Sequence, residues 1–154
     1  MKKILISILL GIFSFQSNCN AGNPTKTGSN INLVTGTVIV LTNEEFKQKV
    51  FNYEVNKEWK YEGKLPAIID FYATWCGPCK QLSPRVEEIA KKFAGKVIVY
   101  KVDTDKEQML SQSLGITSLP TLLFIPVTGM PQATMGALPT ETIEMNIHEV
   151  LLVK

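Results

Sequence analysis

The chain has 154 residues, with 16 basic and 14 acidic side chains, a formal charge of +2 and 45% hydrophobic residues. That is enough for one domain with its own core, and the composition excludes a disordered, collagen-like or coiled-coil protein. It has neither a basic stripe nor a Lys/Arg run, so it lacks the electrostatic footprint that nucleic-acid binding needs.

Lys2 and Lys3 precede an apolar run from Ile4 to Phe15 that only Ser7, Gly11 and Ser14 interrupt. A basic start and a short apolar middle are the layout of a secretory signal. A membrane-spanning helix needs roughly 20 apolar residues, and this run stops at Gln16. We therefore expect a signal peptide over 1–21 and an exported, periplasmic protein, and removing the signal leaves 14 basic against 14 acidic residues. Cys19 admits two readings. It is placed to be the acylated first residue of a lipid-anchored protein, although Gln16 and Asn18 depart from the Leu and small residue expected before such a cysteine. Alternatively, Cys19 and Ala21 are the small residues of a cleavage site, and the product is soluble. Residues 22–36, rich in Asn, Gly, Thr and Ser, read as a flexible tether, which puts the folded domain at 37–154.

Val38 to Leu41 is a short β-branched run, and Thr42 with Glu45 makes a capping box for a helix carrying Phe46 and Val50. From Asn52 to Lys64, Tyr53, Trp59 and Tyr61 are scattered among charges, which predicts a helix end followed by a loop. Leu65 to Tyr72 is a nearly continuous apolar run suited to a strand buried on both faces, with Asp70 the one acid inside it. After a turn at Trp75 to Pro78, Leu82, Val86, Ile89, Ala90 and Phe93 recur at spacings of three and four and predict a helix, kinked at Pro84. A strand is expected over Val97 to Val102, then a helix from Asp105 or Lys106 to Leu114 stopped by Gly115. Thr121 to Pro126 and Pro131 to Met135 read as a hairpin turning at Gly129. Thr140 is expected to cap a last helix with Ile143, Ile147, Val150 and Leu151 on one face. This alternation predicts an α/β fold, a central mixed sheet flanked by helices on both faces with an antiparallel hairpin at one side.

The chemistry concentrates where the buried strand meets the helix. Three cysteines are too few for a disulfide scaffold, and outside the signal they reduce to one pair, Cys76 and Cys79. Cys76 falls where a new helix presents unpaired N–H groups and the positive end of its dipole, both of which favour thiolate over thiol. Gly77 permits the tight turn, and Pro78 sits in the first helical turn without losing a needed hydrogen bond. Cys79, one turn further on, is expected to be the less exposed sulfur. An attack by Cys76 on a substrate disulfide, resolved by Cys79, follows as the chemistry of the pair. The other readings, an inert bridge or a zinc site, are poorer: so short a loop removes little unfolded-state entropy, and the only histidine, His148, is far away and reads as a surface or helix-end residue. Asp70 carries a carboxylate into an apolar strand: buried there, its pKa is expected to rise and it is placed to relay a proton to or from Cys79, and the other reading is an acid at a strand edge open to solvent. Trp75 beside the nucleophile shapes the contact surface or simply packs. No metal, nucleotide or flavin site is visible.

Together these residues resemble the thioredoxin family over about Val38 to Leu152. Trp75-Cys76-Gly77-Pro78-Cys79-Lys80 matches the family's active-site sequence in full. Asp70 falls at its buried acid, Lys101 at the lysine near that acid, Pro84 at its helix kink, and Gly136-Ala137 at the glycine after the last strand. Leu119-Pro120-Thr121 is similar to its loop with a cis-proline packed against the redox pair. The resemblance implies a protein-disulfide reductase acting on disulfide-containing proteins as a monomer, with a cis Pro120 and with Leu119 pairing with an extended substrate segment. Gly77-Pro78 resembles the reducing members of the superfamily. An exported reductase has no nicotinamide pool to draw on, so its electrons are expected from a membrane thiol-transferring protein. The rival readings are an oxidising or isomerising disulfide catalyst and a non-catalytic peptide-binding module. Two departures from the family stand out: Tyr72 replaces a frequent Trp, and Asn52 to Lys64 is longer than the usual connection.

Overall fold

The computed structural model describes residues 36–154, so the expected signal segment and all of the expected tether except Gly36 lie outside the described residues. The first elements are a strand, β1, Ile39–Val40, and a helix, α1, Asn43–Lys49. They meet at the capping box expected from Thr42 and Glu45: the Thr42 hydroxyl accepts the Glu45 N–H at 3.3 Å, and the Glu45 carboxylate accepts the Thr42 N–H at 3.2 Å. Then come β2, Ala67–Tyr72; α2, Gly77–Lys92; β3, Ile98–Asp103; α3, Gln108–Ser113; β4, Thr121–Ile125; β5, Gln132–Met135; and α4, Thr140–Glu149.

The five strands form one sheet in the order β1-β3-β2-β4-β5. β3 runs parallel to β1 and β2, while β4 is antiparallel to β2 and β5, so the sheet is mixed. β2 is paired on both sides, which is why its sequence is nearly all apolar. Alternate side chains of a strand face opposite ways. Ile68, Leu122 and Phe124 therefore meet Leu82, Val86 and Ile89 of α2 and Ile143 and Ile147 of α4 on one side. Ile69, Phe71, Leu123 and Ile125 meet Phe46 of α1 and Leu110 of α3 on the other. Helices thus cover both faces, as the alternation predicts, and each such side chain contributes about 1.5–3 kcal/mol relative to exposure.

Three local expectations need correction. α3 starts at Gln108 rather than at Asp105 or Lys106, because the Asp103 carbonyl takes the N–H groups of Lys106 and Glu107 and its carboxylate takes that of Asp105, which makes this stretch a turn. Thr140 does not cap α4: Pro139 holds the extended cap conformation, its carbonyl accepts the Ile143 N–H, and Thr140 lies inside the first turn. α1 ends at Lys49, so the long connection contains no helix end and no regular element. It is held instead by side chains: Trp59 packs 4.7 Å from Phe51, Tyr53 donates to Asn43 Oδ1 at 2.6 Å, and Tyr61 donates to the Leu65 carbonyl at 2.7 Å.

Candidate active site

α2 begins at once beyond the C-terminal end of β2, the central strand of the sheet, with Cys76 as its N-cap and Pro78 in its first turn. The Cys76 sulfur accepts the Cys79 N–H at 3.1 Å. An N-terminal sulfur that receives a backbone donor and the positive helix end is biased toward thiolate whenever it is reduced. Here Cys76 and Cys79 are joined as a disulfide, with Cα atoms 5.3 Å apart.

The two cysteines are equally buried, each 4% exposed, which corrects the expectation of an open Cys76 above a recessed Cys79. The physical reason is cover from both sides: Tyr72 and, from a distant loop, Leu119 pack against the buried cluster of Ala73, Cys76 and Cys79. The difference between them is one of side. Cys76 lines an open cleft of about 420 Å³ with Trp75, Gly77, Pro78, Ile116 and Leu119. Cys79 lines a separate cavity of about 260 Å³ with Asp70, Ser83 and Lys101.

Trp75 does not pack into the core: it is 70% exposed, and its indole N–H donates to Asp105 at 2.9 Å, which holds the ring at the rim of the cleft. Across the cleft the Leu119–Pro120 bond is cis, as the resemblance implies. The Pro120 carbonyl accepts the N–H of Gly136 at 2.8 Å. Gly136 has a φ of +93°, a conformation that a side chain would strain.

Behind the sulfurs, Asp70 is buried and its Oδ1 has no hydrogen-bond partner. Burial pushes its carboxyl up to about 7, opposed by the positive charge of Lys101, its register partner on β3. Such an acid changes charge near neutral pH, within reach of the cavity that Cys79 lines. Lys101 also lies 5.9 Å from the centroid of the Tyr72 ring. Burial likewise raises the Tyr72 phenol above its ordinary value, helped by the nearby Asp103 carboxylate.

The structure therefore gathers the sequence-predicted residues into two groups, Trp75, Cys76, Gly77, Pro78 and Leu119 around the cleft and Cys79, Asp70 and Lys101 around the rear cavity, with Pro120 buried beside the first. His148 is not among them. It sits exposed near the end of α4, against Phe93 and 2.6 Å from the Val153 carbonyl. Thr104, Ile116, Thr117 and Ser118 line the cleft, and Asp105 holds Trp75 at its rim, without having been singled out from the sequence. Ile116 and Thr117 lie just ahead of Leu119-Pro120, a proximity that could have found them, whereas nothing local links Asp105 to Trp75. Among the described residues, no three His, Cys, Asp or Glu side chains gather as a metal site would require.

Comparison with known proteins agrees with this geometry. The thioredoxin family model matches residues 37–149. A thioredoxin of Borreliella burgdorferi is 55% identical over 111 residues, covering 72% of this chain and 95% of that protein. The chloroplastic M-type thioredoxin of Spinacia oleracea is 38% identical over 95 residues, and the match spans 52% of its length. A crystal structure of chloroplastic thioredoxin z superposes with a TM-score of 0.64 at 29% identity, covering 76% of this chain and 96% of that one. With the family model matching most of its length and the cysteine pair closed at the head of α2, this chain belongs to the thioredoxin family and is a thiol-disulfide oxidoreductase that reduces protein disulfides.

Proposed function

We propose that this chain works outside the cytoplasm, with Cys76 as nucleophile, Cys79 as resolving thiol and Asp70 as the proton acceptor for Cys79. The observation that carries the division of labour is that one sulfur lines an open cleft while its bonded partner lines the cavity of a buried carboxylate. In the reducing direction the Cys76 thiolate attacks one sulfur of the substrate disulfide, and the other leaves as thiolate. Cys79 then passes its proton through water to Asp70 and attacks the Cys76 sulfur. This releases the second substrate sulfur and leaves the Cys76–Cys79 bond, so both electrons have moved from the dithiol to the substrate.

Lys101 opposes the rise in the Asp70 pKa and so keeps the carboxylate available near neutrality. Trp75, Gly77, Pro78, Leu119 and Pro120 shape the surface against which an extended substrate lies. Export is supported by the basic-then-apolar first 21 residues and by a family match that starts only at residue 37. In that setting the reducing equivalents come from a thiol-transferring membrane protein, and the working form is a monomer, either soluble or anchored by a lipid at Cys19.

Reduction of insulin by the dithiol form, followed by the pair's reduction potential against glutathione, tests this reading. Turnover should vanish in Cys76→Ser, and the potential should be more reducing than that of glutathione. Turnover that survives the substitution overturns the assignment of the nucleophile, and a strongly oxidising potential makes the chain a disulfide donor instead.

A further inference from the structure

The connection between α1 and β2 is long, and its Trp59 is carried to the side of the sheet onto which the buried Thr121 and Leu123 of β4 project. By register, Ala133 and Met135 of the edge strand β5 lie opposite Leu123 and Thr121 and share that side. Between Trp59 and β5 lies a groove of about 280 Å³ whose lining includes no ionisable side chain. Met135 on its wall is 63% exposed. That volume is room for one large side chain and falls short of the roughly 300–1,000 Å³ of a small-molecule pocket.

Ile116 and Thr117 line this groove and also the cleft over Cys76, so the two depressions share a wall. The turn that ends α3 fixes that wall. Gly115, with a φ of +66°, donates to the Gln112 carbonyl at 3.0 Å, and Ile116 donates to that of Ser111 at 2.9 Å. A chain lying extended over Cys76 needs only to cross Ile116 and Thr117 to reach Trp59. Extended segments are recognised by pockets that take selected side chains along their length.

We infer that the groove between Trp59 and β5 is a second substrate subsite, which takes a bulky uncharged apolar side chain from the same segment whose disulfide lies over Cys76. The inference rests on the reductase reading, and it assigns the long connection a role in choosing substrates: disulfides flanked by Phe, Leu or Met are preferred to those flanked by acids.

The test uses disulfide-bonded peptides in which Phe or Asp is walked outward from the cysteine one residue at a time, with a small aromatic disulfide reagent as reference. At one spacing Phe should give kcat/KM about 10-fold above Asp, a difference near 1.4 kcal/mol. Met135→Lys, at an exposed position that folding tolerates, should abolish that preference while reduction of the reagent stays within about twofold. Trp59→Ala should do the same by removing the opposite wall. The subsite is overturned if no spacing favours Phe, or if Met135→Lys slows peptide and reagent equally. It is also overturned if the substitution changes the mass in solution and not the preference, since the groove then joins two copies of the chain. A parent chain that reduces neither the reagent nor any peptide removes the reductase reading itself and the subsite with it; one that reduces all of them without preference leaves that reading standing and removes only the subsite.

Discussion

Cys76 and Cys79 are bonded to each other, equally buried and within one turn of one helix, yet they open onto opposite surroundings. In front of Cys76 is a cleft with an indole pinned at its rim; behind Cys79 is an unpartnered carboxylate under a lysine's field. Exposure alone therefore does not separate an attacking sulfur from a resolving one. In the proposed mechanism the separation comes from what each sulfur faces: the open cleft on one side and the Asp70 carboxyl on the other.

The sharpest way to break this comparison is to remove the rear sulfur alone. Cys79→Ser should still be attacked onto substrate disulfides through Cys76 but should stall there, with mixed disulfides accumulating in mass spectra run without reductant. Absence of such adducts means that the two sides do not divide the work as described.

Next in size is Asp70→Asn, which leaves the front untouched and removes the proposed proton acceptor. Resolution should slow by about 100-fold and lose its rise with pH through neutrality, as followed by rapid-mixing kinetics. Stability should move the opposite way. Folding raises the Asp70 pKa from 3.8 to about 7, so between those values the folded chain keeps a proton that the unfolded chain has lost. Stability therefore falls as pH rises across that window, and the penalty is complete above it. Asn carries no such penalty, so the variant should exceed the parent by on the order of 4 kcal/mol above the window and match it below, read from denaturant melts at each pH. Equal pH slopes in the two proteins would place the Asp70 charge in solvent.

The smallest effect belongs to the front. Asp105→Ala frees the Trp75 indole and should weaken substrate binding by about 0.5–1.5 kcal/mol, raising KM for a protein disulfide while leaving the pH profile of resolution as it was. A shifted pH profile would mean that the cleft and the rear cavity are not independent.

The helix cap at Thr42, the apolar stripe of α2, the buried strand around Asp70 and the stop at Gly115 are all readable in the chain, because each depends on residues within a turn or two of one another. The start of α3 is misjudged for the same reason: the backbone and side chain of Asp103 capture the turn, and nothing in the composition of Asp105 to Glu107 announces that. Thr140 is a good cap by type, but Pro139 already has the extended conformation a cap needs. The Asn52 to Lys64 stretch resists reading because its order comes from scattered aromatic contacts to Asn43, Phe51 and Leu65 rather than from a repeating pattern.

The sequence by itself determined the reactive corner: a strand, a tight turn and a helix start place two sulfurs one turn apart, and that geometry is local. Only the tertiary structure decided what surrounds it. Because the strand order β1-β3-β2-β4-β5 departs from chain order, segments far apart in the chain converge on the corner: Asp105 on Trp75, Leu119 on the buried cysteine cluster, Lys101 on Asp70. The same folding carries Trp59 to a wall beside β5. Local hydrogen bonding and periodicity are written within a few residues, whereas the neighbours across a sheet are set by how all its strands pack together.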